Sequence, residues 1–142
     1  MTLCVLDSSV ALAWVIPGEG DTVTEALLDD VADVGAVAPG LWPLETANVL
    51  LAAERRGRIT LMERQQALAT LKELPIRIDP HTAAHAWGDA LHLASSRRLT
   101  LYDASYLELA LRLGLPLASL DRELREAAEG CGVALLGRRD GA

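Results

Sequence analysis

The stretch Leu3-Cys4-Val5-Leu6-Asp7-Ser8-Ser9-Val10 decides how the whole chain is read. Its first four residues form a short apolar run of the kind buried on both faces in a parallel sheet. An acid ends the run, and two serines open a helical pattern over residues 8–15 that Pro17-Gly18 stops. Strand, acid and helix follow one another without a break. The pattern then repeats. Residues 21–34 place Val23, Leu27, Leu28 and Val31 at helical spacing, and 34–38 form a weak strand closed by Pro39. A stronger helix covers 41–56 and stops at Gly57. Thr60-Leu61-Met62-Glu63 fits a capping box that starts a helix running to about 74. A strand at 75–79, helices at 80–95 and 102–113, a strand at 117–120, a helix to 129 and a strand at 133–136 complete the order. Short apolar strands separated by helices predict an α/β fold, a parallel sheet with helices on both faces. No repeat or linker divides the chain. Residues 1–137 read as one domain and 138–142 as a frayed tail.

Composition narrows the function classes. The 142 residues carry 13 Lys+Arg against 20 Asp+Glu, a formal charge of −7, which argues against nucleic-acid binding through bulk positive charge. It leaves room for an enzyme whose carboxylates bind cations. Residues 1–7 have no basic start typical of a secretory leader, and apolar runs such as 10–16 are far below the ~20 residues of a membrane span. Cys4 and Cys131 have no metal-type partner nearby in sequence. They read as small buried apolar residues in a reducing, cytoplasmic setting.

In open parallel sheets, ligands bind outside the carboxyl ends of the strands. Asp7 and Asp121 each follow an apolar strand directly, and Asp103 follows the apolar run 99–102 at the start of a helix. Each taken alone could be a helix cap. Together they put three carboxylates on one rim. Glu45 adds a fourth, because Leu41, Leu44, Glu45, Asn48 and Val49 share a helical stripe whose apolar setting predicts a buried carboxylate, with Asn48 one turn on to orient it. Like charges at close range raise each other's pKa, and hard divalent ions relieve the repulsion. An all-carboxylate set without Cys or His suits Mg²⁺ or Mn²⁺ rather than zinc. The chemistry indicated is metal-assisted phosphodiester hydrolysis.

The segments Val5-Leu6-Asp7-Ser8-Ser9-Val10, Leu44-Glu45-Thr46-Ala47-Asn48-Val49-Leu50, Leu101-Tyr102-Asp103-Ala104-Ser105-Tyr106-Leu107 and Leu117-Ala118-Ser119-Leu120-Asp121 occur in the order found in PIN-domain proteins. More narrowly, the chain resembles the VapC ribonuclease toxins of prokaryotic toxin–antitoxin modules, over essentially its whole length. The resemblance implies an α/β/α sandwich and Mg²⁺- or Mn²⁺-dependent RNA cleavage with one or two ions. Asp7, Glu45, Asp103 and Asp121 match the acidic tetrad. Asp7 and Asp103 would ligate metal most directly, with Glu45 and Asp121 binding directly or through water. Ser9 and Ser119 match supporting positions beside the first and last acids. Cleavage would leave 5′-phosphate and 3′-hydroxyl ends. The resemblance further implies a homodimer and a small VapB-type antitoxin, which could send an Arg or Lys into the carboxylate cluster.

Other signals are weaker. His81 and His85 lack the intervening Glu of a zinc-protease helix, and His92 reads as structural. Trp14 and Trp42 read as packing residues or groove wall. Asp89 and Glu108 read as exposed helical acids. Arg55, Arg56 and Arg58, and the pair Arg97-Arg98, read first as solvated helix ends. Their functional reading is contact with RNA phosphates. A receiver-type phosphoacceptor domain is the alternative, because its doubly wound sheet also gathers acids at strand ends. Such a domain needs a strand-end Lys, and the single Lys72 falls within a helical segment.

Overall fold

A computed structural model describes residues 1–138. The elements run β1 (Val5–Leu6), α1 (Ser8–Val15), α2 (Thr22–Val34), β2 (Ala36–Ala38), α3 (Trp42–Arg55) and α4 (Leu61–Glu73), then β3 (Ile76–Ile78). They continue with α5 (Thr82–His85), α6 (Asp89–Arg97), α7 (Leu101–Leu113), β4 (Leu117–Ala118), α8 (Arg122–Gly130) and β5 (Leu135–Leu136). The five strands form one sheet in the order β3-β2-β1-β4-β5, and each adjacent pair is parallel.

That order has a physical consequence. The chain steps outward from β1 through β2 to β3, then crosses back to β4 on the other side of β1 and ends at β5. Right-handed crossovers in opposite directions put the connecting helices on opposite faces. Accordingly α1 packs against α2, α3 and α4, whereas α7 packs against α6, α8, β1 and β4. The expected three-layer α/β/α sandwich is the architecture observed. Cys4, Val5, Leu6, Val37, Leu117 and Ala118 are buried at the centre of the main core, together with Tyr106, Leu107 and Leu109 of α7. A second small cluster of Leu12, Leu50, Ala53, Ile59 and Ala67 joins α1, α3 and α4.

Local signals acted as chemistry dictates. Thr60 and Glu63 exchange the two hydrogen bonds of a capping box, and Gly114 ends α7 at φ +66, a conformation that costs glycine little. Burial pushes the Cys4 thiol up to about 12, consistent with an inert core residue, while Cys131 is half-buried at the edge of the core. Two expectations needed correction. The strands are only two or three residues long. The helix expected at 80–95 breaks in two, because Gly88 takes φ −108, ψ −109, outside the helical region, and leaves Trp87 almost fully exposed. Of the expected tail, Arg138 donates to the Leu120 carbonyl at 3.3 Å, and 139–142 lie outside the described residues.

Candidate active site

The sheet order reverses between β1 and β4, and the carboxyl ends of those two strands are where an open parallel sheet presents a ligand site. Asp7 leaves β1 there. Its amide donates to the Ala118 carbonyl at 2.9 Å, tying it to β4, and it occupies the position before α1. Its side chain makes no capping bond, so the capping role that a lone Asp7 could have filled is not the one it has. One oxygen, Oδ2, instead accepts from Ser9 Oγ at 2.6 Å and from Ser119 Oγ at 2.8 Å. The two serines are bound in turn into the β4 exit. Ser9 Oγ accepts from the Leu120 amide at 2.9 Å and Ser119 Oγ from the Asp121 amide at 3.0 Å. The Asp7 carboxylate is therefore tied through the Ser9 and Ser119 hydroxyls to the backbone amides of Leu120 and Asp121.

Asp121 does act as a cap. Its Oδ1 accepts from the Leu124 amide at 2.9 Å, leaving Oδ2 for other partners at an exposed position. Asp103 reaches the site by a route unlike the strand-end placement expected of it. No strand precedes it; it sits in the first turn of α7, whose cap is Thr100, and its amide donates to Thr100 Oγ1 at 3.1 Å. A helix N-terminus favours a carboxylate, which is a different reason for the same rim.

Glu45 overturns a second expectation. The stripe it shares with Leu44, Asn48 and Val49 faces outward, with Leu44 76% exposed, while α3 buries Trp42, Thr46, Leu50 and Ala53. Asn48 is exposed and does not orient Glu45. The group that orients Glu45 is Tyr106, whose buried hydroxyl donates to Glu45 Oε1 at 2.6 Å. Sequence reasoning missed Tyr106; the available signal was its spacing of three from Asp103, which puts both on one face of α7.

The four carboxylates act on one another electrically. Burial chiefly, then the charges of Glu45 and Asp121, raises the Asp7 carboxyl above its ordinary range despite the opposing serine hydrogen bonds. Burial, followed by the charges of Asp121, Asp7 and Glu45, lifts Asp103 to about 6. Burial, the charge of Asp7 and the bond to Glu45 raise the Tyr106 hydroxyl, which therefore stays a protonated donor. Among the described residues, no group of three or more His, Cys, Asp or Glu side chains is disposed to hold a metal ion as it stands. Mg²⁺ does not require one. It commonly binds through one or two carboxylates and keeps several waters, so a rim of mutually repelling oxygen donors suits a hard divalent cation.

The other residues that the sequence singled out lie apart. Arg56 lines a groove between α1 and α3 with Ser9, Leu12, Asn48, Val49 and Leu120, about 460 Å³ in volume; Arg55 is not part of its wall. Arg97 and Arg98 border a different recess, with Glu123 and Glu126. The Arg97 guanidinium lies against Gly130, nine residues along α8 from Asp121 and so about 13 Å away along the axis. Glu108 is buried rather than exposed. It and Asp79 grip Arg112, with bonds of 2.9 and 2.7 Å, in a network away from the four acids. Asp89, His85 and His92 border a recess beside that network. Trp42 is a core residue, and Trp14 donates to the Thr24 carbonyl at 2.7 Å. Lys72 lies exposed in the last turn of α4, which leads to the start of β3, the opposite edge of the sheet from the acids. That placement removes the receiver-type reading.

The PIN domain family model matches residues 4–130, an interval that contains all four acids. The chain belongs to the PIN-domain family. This PIN domain is 32% identical over 122 residues, 86% of its length and 92% of the relative's, to ribonuclease VapC3 of Pyrobaculum aerophilum. Its fold is also that of two solved crystal structures. PAE2754 from Pyrobaculum aerophilum superposes with a TM-score of 0.69 at 24% identity, covering 94% of this chain and 89% of that one. FitAcB from Neisseria gonorrhoeae gives 0.63 at 17% identity, covering 94% and 96%.

Proposed function

We propose that this PIN domain is an endoribonuclease of the VapC type, the toxin of a toxin–antitoxin pair, using Mg²⁺ or Mn²⁺ at Asp7, Glu45, Asp103 and Asp121. The observation that carries the reading is the electrical coupling of these acids at the switch point of the sheet, with buried Asp7 left out of helix capping. When bound, one or two divalent ions supply a Lewis acid that activates water and stabilises the leaving oxygen of the phosphodiester. Asp7 and Asp103 would hold the ion most directly, and Glu45 and Asp121 directly or through water. Ser9 and Ser119 fix the Asp7 carboxylate and leave Oδ1 to face the ligand. Tyr106 fixes Glu45 in the same way, through one oxygen. The raised proton affinities of Asp7 and Asp103 mean that a binding cation competes with protons there.

The finer assignments follow from the same reading. Residues 1–137 act as one nuclease domain in the cytoplasm; no helix among the described residues is long and apolar enough to cross a membrane. The groove bordered by Leu12, Ile16, Val49 and Ala52, with Arg56 and Arg58 at its margin, takes the antitoxin segment and leads to Ser9 and Leu120 beside the acids. A homodimer is supported by exposed Trp87 and Leu91, four residues apart, and Leu111 on the helix packed beside them. Arg56 is the best placed of the RNA-contact candidates Arg55, Arg56, Arg97 and Arg98, since its groove opens on the cluster.

Incubating purified protein with short structured RNAs tests the proposal. Mn²⁺- or Mg²⁺-dependent cleavage that EDTA and Asp7→Asn both abolish is the expected result. Equal cleavage by wild type and Asp7→Asn, or none by either, would remove the assignment.

A further inference from the structure

We infer that Arg138 is a substrate-positioning residue that grips an RNA phosphate next to the bond being cut; this rests on the ribonuclease reading above. Leu135 and Leu136 of β5 pair with Leu117 and Ala118, so the residues that follow run beside Ser119, Leu120 and Asp121. Arg125 of α8 bolts the two strand ends together, with Nη1 donating to the Ser119 carbonyl at 2.8 Å and to the Leu136 carbonyl at 3.0 Å. Gly137 then passes in a tight space at φ +103. A Cβ there would meet Val10 Cγ2 at 3.3 Å and the Ser119 carbonyl oxygen at 3.4 Å. Both the conformation and the fit favour glycine. The chain is thereby delivered to the rim of the active site.

Arg138 is the residue so delivered. Nη2 donates to the Leu120 carbonyl at 3.3 Å, one residue from Asp121. The guanidinium is exposed, and among the described residues it has no carboxylate partner. Three other arginines are held by carboxylates: Arg64 by Glu54, Arg112 by Asp79 and Glu108, and Arg122 by Glu126. A guanidinium has five N–H donors in a fixed fork, so one long bond to a carbonyl leaves most of them for a phosphate, which the fork can take bidentately. The need for such a group is plain from charge. The chain is acidic overall, and the cluster repels a polyanion until cations fill it. A cation anchored to the exit of β4, adjacent to Asp121, holds the RNA backbone where the carboxylates and their ions act on it.

The test uses the full chain with a short single-stranded RNA that it cleaves in Mn²⁺, measuring kcat and KM across a salt series, with thermal melting as a check on folding. Arg138→Ala is expected to raise KM about tenfold with kcat within twofold, and to reduce the log–log salt slope by about 0.7, the value for one phosphate contact on a single strand. Arg138→Lys keeps the salt slope and loses part of the KM effect. Arg122→Ala, at the first residue of α8 but paired with Glu126, leaves both unchanged. An unchanged KM and salt slope in Arg138→Ala, beside a wild type that cleaves, overturns the inference and spares the ribonuclease reading. A fall in melting temperature and kcat at constant KM also overturns it, since Arg138 would then only strap the rim. A wild type that cleaves no RNA fails the ribonuclease reading and this inference with it.

Discussion

Replacing Asp103 by Asn should stabilise the metal-free protein while destroying its activity. The carboxyl titrates at about 6 because burial and the charges of Asp121, Asp7 and Glu45 oppose ionisation. An unfolded chain releases that proton near 3.9. The folded state therefore holds more protons than the unfolded state between about pH 4 and 6, and stability falls as pH rises through that window. About two pH units correspond to roughly 3 kcal/mol against the fold above pH 6, at 1.36 kcal/mol per unit. Asp103 is only part-buried, and solvent screening cuts the figure to about 1.5 kcal/mol. Asn also gives up the favourable placement of a charge in the first turn of α7, about 0.5 kcal/mol. The net gain is about 1 kcal/mol, or roughly 3–5 °C in melting temperature for a chain of this size. Melting curves of wild type and Asp103→Asn at pH 3.5 and pH 8, in EDTA, read the difference. The gain should be present at pH 8 and absent or reversed at pH 3.5. Adding Mg²⁺ at pH 8 should raise the wild type more than the variant, because the cation relieves the repulsion that Asn has already removed. An Asp103→Asn variant that is less stable than wild type at pH 8 in EDTA would refute the electrostatic account of the cluster.

Two further changes separate the site from its support. Tyr106→Phe removes the hydroxyl that orients Glu45, at a cost of about 1 kcal/mol in stability and a larger loss in cleavage, about 10- to 100-fold in kcat; denaturant titration and cleavage rates on the same samples distinguish the two. Arg112→Ala leaves Asp79 and Glu108 buried without a cation and should cost about 3–5 kcal/mol with no direct effect on the reacting groups. Burial alone would raise Asp79, but the hydrogen bonds and charge of Arg112 outweigh it and hold the carboxyl below its ordinary range. Its stabilising contribution is therefore present at neutral pH and lost as pH falls through the folded value, so the gap between wild type and Arg112→Ala should narrow in acid.

The layer architecture is written in the chain's own periodicity, and so are the positions of the four acids as candidates. Apolar runs ending in Asp7 and Asp121, alternating with capped helices, leave a parallel sheet as the way to bury both faces of each strand, and that sheet carries its strand-end acids to one rim. Asp103 and Glu45 were legible as positions but not as geometry. Asp103 arrives on a helix N-terminus, and the apolar stripe around Glu45 faces outward, because an amphipathic pattern does not say which of two nearly apolar faces meets the core when α1 and α4 compete for it. Contacts between residues distant in sequence belonged to the tertiary structure alone. Ser119 reaches Asp7 across 112 positions and Tyr106 reaches Glu45 across 61, and such pairings depend on strand order, which periodicity does not encode. The same holds for Arg138: as sequence it is one residue of a polar tail, and only the pairing of β5 with β4, fixed by Arg125 and the space open to Gly137, puts its charge beside Asp121.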